Sequence, residues 1–104
     1  MVSTQVFAQN GLQIPGFDNC GTWIERRTGN DVRWRQMSER GVVSGLSGMS
    51  LAYRPIMNFW NSEKGNLSPS QVFLWMDNYC RKNPLKSVIP GMMELFLQHS
   101  TLLK

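Results

Sequence analysis

Two cysteines, Cys20 and Cys80, and a single histidine, His99, are the residues best equipped for covalent chemistry in this chain. A Cys–His nucleophile would need one of those thiols free, activated beside His99, and a third group orienting the base. No such triad can be assembled from the sequence, and His99 reads better as a helix-end residue, where positive charge suits the dipole. Two Cys and one His at long spacing are not a zinc site. Gly45-Leu46-Ser47-Gly48 is not a Gly-x-Ser-x-Gly elbow, and no strand precedes it. A Gly-x4-Gly-Lys phosphate loop and a dinucleotide fingerprint are both missing. Glu25, Asp77 and Glu94 show no pairing that points to acid–base work. The expectation is a chain without catalysis, metal or cofactor.

The basic residues offer binding chemistry instead. Arg26, Arg27, Arg33, Arg35 and Arg40 cluster in the first half, with Trp23 and Trp34 among them. Basic plus aromatic can suit nucleic acid, but Glu25, Asp31 and Glu39 interleave, and we expect no nucleic-acid partner. The plain reading is a solvated helix face. The sharper one is that Arg33, Arg35 and Arg40 contact an acidic protein partner or an anionic lipid surface. A net charge of +4 is compatible with an acidic partner without demanding one. Phe59 and Trp60 add adjacent aromatics in a connection, either a lid over the core, which we favour, or an exposed contact patch.

Four helices are expected to position these residues. The first covers 18–27, capped by Asp18 or Asn19, with Cys20, Trp23 and Ile24 inward and Arg26 and Arg27 toward solvent. Thr28-Gly29-Asn30-Asp31 is a turn. The second and longest runs over 32–53, where Val42, Leu46, Met49 and Tyr53 form one stripe. Beside it lie the small residues Ser38, Gly41, Gly45, Gly48 and Ala52. Glycines inside a helix cost about 1 kcal/mol each, which suggests close approach of another helix along that groove. The aromatic-rich third helix, carrying Trp75 and Tyr79, is the expected partner.

That third helix is the densest apolar stretch of the chain. Ser68-Pro69-Ser70-Gln71 reads as its start, with a hydroxyl cap, proline at the first helical position and a capping-box glutamine. Val72, Trp75, Met76 and Tyr79 share one face, with Phe73 and Cys80 beside it. Asp77, Asn78 and Arg81 form the polar edge, Asp77 and Arg81 standing four apart. Pro84 ends the helix near Lys82. The fourth covers 85–99, with Ser87 as a candidate cap and Pro90 near its start. Residues 101–104 are expected to fray, and 18–100 to form one domain.

The 104 residues suffice for one core, and the charged fraction of 17% is low. No apolar run approaches the ~20 residues needed to span a bilayer. Val6-Phe7-Ala8 resembles the end of a secretory signal, though the basic and most of the apolar region are missing. Residues 1–17 are thus either a signal remnant or a frayed terminus. Cys20 and Cys80 would be two buried thiols in a reducing compartment, or one disulfide in an oxidising one. The signal-like remnant and the small helical domain favour the disulfide.

Cys20-Gly21-Thr22-Trp23, then Gly41-x3-Gly45-x2-Gly48, then Trp75-x-Asp77-Asn78-Tyr79-Cys80-x2-Asn83-Pro84-Leu85 together resemble a known group. It is that of small secreted helical proteins of Gram-negative bacteria which include the HdeA-type acid-stress chaperones. The chain also looks like the periplasmic immunity proteins that neutralise type VI secretion amidase effectors. The resemblance covers about residues 20–97. It implies an all-helical domain, a Cys20–Cys80 disulfide, a periplasmic address and no enzyme. The chain departs from the chaperones in being Trp-rich and basic. With only seven carboxylates, their acid-driven unfolding is not carried over. The function expected is that of a periplasmic or secreted protein-binding domain, an immunity or inhibitor-type protein, monomeric or homodimeric. The alternative is a stress chaperone that exposes its apolar core to clients.

Overall fold

The computed structural model describes residues 19–54 and 56–102. The signal-like Val6–Ala8 segment, the alternative cap Asp18 and residues 103–104 lie outside them. Four helices are present among the described residues: α1 (Cys20–Thr28), α2 (Val32–Tyr53), α3 (Pro69–Lys82) and α4 (Val88–His99). The fold is an all-α bundle in which the short first helix is tied by the Cys20–Cys80 disulfide to the third.

Local chemistry sets where each helix begins. The Asn19 side chain accepts from the Thr22 N–H, and Asp31 accepts from Arg33 and Trp34. Ser68 and Gln71 complete a reciprocal capping box with Pro69 in the first turn. Ser87 precedes α4 but makes no side-chain cap bond. α4 therefore starts three residues later than expected, and Pro90 sits in its first turn, where no intrahelical partner for an N–H exists. The Cys20 N–H donates to the Lys86 carbonyl at 2.7 Å, and Asn19 bridges Ser87, so α1 begins against the entry to α4.

The core is one cluster. Trp23 comes from α1, Val42 and Leu46 from α2, Val72, Met76 and Tyr79 from α3, and Val88, Met92, Leu95 and Phe96 from α4. Each such side chain contributes about 1.5–3 kcal/mol on burial. Tyr53, expected to continue the α2 stripe, is largely exposed but meets the Phe96 ring at 5.8 Å between centroids.

Two short antiparallel pairs cover one end of the bundle. β1 (Met57–Asn58) pairs with β4 (Thr101–Leu102), matching Met57 to Leu102 and Asn58 to Thr101. β2 (Asn61–Ser62) pairs with β3 (Gly65–Asn66) around a turn that takes Gly65 to φ 116°, where glycine alone is unstrained. Thr101 and Leu102 are thus a paired strand and not the frayed tail the sequence suggests. Phe59, between β1 and β2, is only 1% exposed and stacks on Phe96 at 5.1 Å and 22°. It closes the core as a lid, and burial removes it from the candidate partner contacts.

One member of the glycine stripe needs correcting. Gly41 and Gly45 are half-buried, but Gly48 is exposed, and a Cβ there would meet nothing within 4 Å. Trp75 and Tyr79 border Glu94 and Gln98 of α4, and the Tyr79 ring lies against Gly91. A close approach falls at Gly91, where a Cβ would come within 2.5 Å of the Tyr79 ring. Two alanine substitutions should therefore move stability in opposite directions. Gly48→Ala gains up to about 1 kcal/mol of helix propensity. Gly91→Ala gains the same but meets overpacking of about 1–3 kcal/mol, so it should lower the urea midpoint while Gly48→Ala raises it.

Candidate functional site

Two polar arrangements could carry function, one internal and one external. The internal one lies where α1, α2 and α3 meet. Asp77 is 5% exposed and accepts from the Trp23 indole N–H at 2.8 Å. Arg27 grips the same carboxylate in a fork, Nε to Oδ1 and Nη2 to Oδ2, both at 2.9 Å. Its Nη1 reaches Glu39 at 2.7 Å. The guanidinium also lies 5.5 Å from the Phe73 ring centroid and 5.9 Å from that of Trp23, within cation–π range. The hydrogen bond to Asp77 raises the Arg27 pKa above its ordinary value, burial opposes, and Glu39 adds to the rise. The network is centred on the buried Asp77 and Trp23, with Arg27 and Glu39 partly exposed at its rim, so its chemistry is to hold three helices in register. Arg27 folds back onto Asp77 with only 20% of its side chain exposed, and Asp77 does not pair with Arg81, which instead donates to Asn78 at 3.3 Å.

The external arrangement is the outer face of α2. At 100° per residue, Arg33, Met37 and Arg40 fall within one narrow arc, opposite the buried Ser38, Val42 and Leu46. Arg33 and Arg40 are exposed and form no ion pair among the described residues. Met37 between them is 54% exposed and neighbouring Trp34 is 46% exposed. Trp34 carries the Arg26 guanidinium 4.7 Å above its ring. Clefts flank this ridge. One of about 340 Å³ is bordered by Trp34, Glu25, Arg26 and Asp31. Another of about 250 Å³ is bordered by Arg40, Val43, Ser44 and Phe73.

Arg35 does not belong to this face. It is half-buried, and its Nε lies 3.8 Å from Glu39. A two-residue step turns a helix by about 200°, so Arg33 and Arg35 cannot look the same way. The same rule, read forward by four, picks out Met37, which the sequence reading missed. Trp60 is half-buried and edge-on to Phe59 at 4.9 Å.

A third feature lies between α3 and α4. Trp75 stacks on Tyr79 at 5.7 Å and 9°, above a cleft bordered by Asn78, Lys82, Glu94 and Gln98. Burial pushes the Tyr79 phenol above the usual 10.0, and the Glu94 carboxylate pushes the same way. His99 Nε2 bonds the Gly65 carbonyl at 2.8 Å, and its ring meets Phe59 edge-on. Both cysteine sulfurs are joined to each other, with Cα atoms 4.8 Å apart. Among the described residues, no three His, Cys, Asp or Glu side chains converge as a metal site. The chain matches no protein-family model, no curated protein and no solved structure.

Proposed function

We propose that this is a non-enzymatic periplasmic or secreted domain that acts by binding an acidic protein through the outer face of α2. The observation carrying this reading is the exposed Arg33–Met37–Arg40 ridge beside Trp34, whose two arginines form no ion pair among the described residues. Arginine, methionine and tryptophan are the residue types enriched at interface centres. The neighbouring arginines are used differently: Arg27 and Arg35 end on Glu39 and Asp77 inside the molecule. Arg33 and Arg40 retain exposed heads for an outside partner. The disulfide suits an oxidising compartment, and no helix among the described residues is long and apolar enough to cross a membrane. An immunity or inhibitor-type role fits a rigid, stapled domain presenting one preformed face.

The test is a charge reversal. Arg33→Glu/Arg40→Glu alters only exposed side chains, so its stability should stay within about 0.5 kcal/mol of wild type. Its affinity for the acidic protein that wild type captures from an extracytoplasmic extract should fall at least about tenfold, chiefly through slower association. Capture by wild type should weaken as salt rises. A charge-reversed protein that keeps its partner, or a wild type that captures none at physiological salt, rules the reading out.

A further inference from the structure

The cleft between α3 and α4 is built differently from the basic face. Trp75 borders two adjoining hollows, of about 300 Å³ and about 230 Å³, at the small end of ligand sites. One face of Trp75 rests on Tyr79 at 9°. Tyr79 in turn lies against Gly91, where no side chain other than hydrogen would leave it room. The aromatic platform is therefore held before any ligand arrives, which lowers the ordering cost of binding.

Four amides, Gln71, Asn78, Asn83 and Gln98, surround this platform beside Lys82, Glu94 and His99, and three of them are half-used. Gln98 Nε2 donates to Glu94, leaving the side-chain Oε1 of Gln98 as an acceptor. Asn78 Oδ1 accepts from Arg81, leaving its N–H groups as donors. Gln71 Oε1 accepts from the Ser68 N–H in the capping box, again leaving donors. Lys82 and Glu94 bring opposite charges that cancel. Mixed donors and acceptors with no net charge suit hydroxyl groups, which donate and accept together. A flat aromatic ring suits the C–H face of a pyranose.

We propose that the α3–α4 cleft binds a neutral saccharide, stacked on Trp75 and hydrogen-bonded by Asn78, Gln98 and Gln71. No residue of the α2 face lines it, so this site stands or falls separately from the protein-binding reading. The probes are cellobiose, maltose and their pentaoses, titrated into the full chain while the indole and side-chain amide NMR resonances are followed. Saturable shifts of Trp75, Asn78 and Gln98 are expected with at least one probe. Gln98→Ala, an exposed change that leaves the platform intact, should weaken binding about tenfold. Trp75→Ala should abolish it. Tighter binding of a pentaose than of its disaccharide assigns a glycan chain as ligand, and equal binding assigns a free sugar. No saturable shift up to about 20 mM, where millimolar affinity would show, overturns the proposal. So do shifts that persist unchanged in both variants.

Discussion

Replacing both Cys20 and Cys80 with alanine is expected to lower the melting temperature by about 15–30 °C. The bond closes a loop of 60 residues. In the chain-entropy account, releasing a loop that long returns about 4 kcal/mol to the unfolded state. Domains of this size have only about 5–15 kcal/mol in total. Alanine is the right replacement because both sulfurs are buried, and serine would add unpaired hydroxyls. Dithiothreitol in the unfolding buffer should lower the wild-type transition by a similar amount. The mechanism is local as well as global, since α1 has nine residues and cannot hold itself as a helix in water. A fall of less than about 5 °C would mean that the polar network alone secures α1.

Much of the fold was legible because its determinants are local. The Ser68–Gln71 capping box and the end of α2 at Tyr53 rest on partners within a few residues. The apolar stripe Val42–Leu46 and the face of α3 followed from helical period alone. The misreadings fall where the partner is distant. Asp77 lies 50 residues from Arg27 and 54 from Trp23, and an aspartate on a helix looks like a solvent residue until those meet it. Gly91 sits inside an apolar stretch, and only the Tyr79 ring across the interface explains it. β4 owes its order to pairing with β1, about 44 residues away, beside the Phe59 that the sequence already favours as a lid. The grouping of Arg35 with Arg33 is a different kind of error, because the helical angle already separated them. On the candidate surface, Arg33 and Arg40 were readable as exposed cations. Met37 followed from the same helical angle, whereas Trp34 joins them through its contact with the Arg26 guanidinium.

Asp77→Ala should destabilise the domain by about 3 kcal/mol, measured as a fall in the urea midpoint at unchanged slope. Three losses combine at this one carboxylate. The buried Trp23 indole N–H loses its only acceptor among the described residues, a desolvation cost of about 1–3 kcal/mol. The Arg27 fork loses both charge-assisted bonds and keeps only Glu39. Because the Arg27 side chain is 20% exposed, water can reach part of the orphaned guanidinium, which keeps the cost toward the lower end for a broken buried pair. Asp77→Asn should cost less, since an amide oxygen can still accept from Trp23 while the charge on Arg27 goes unanswered. The staple and the network hold the same short helix to the same partner, so their effects should not add. With the disulfide intact, α1 stays tethered and Asp77→Ala loosens only its packing. In the Cys20→Ala/Cys80→Ala background nothing covalent remains, and the same substitution should release α1, exposing Trp23 and shifting its fluorescence to longer wavelength before the rest of the bundle melts. Equal effects of Asp77→Ala in the two backgrounds would mean the disulfide and the carboxylate act on separate parts of the structure.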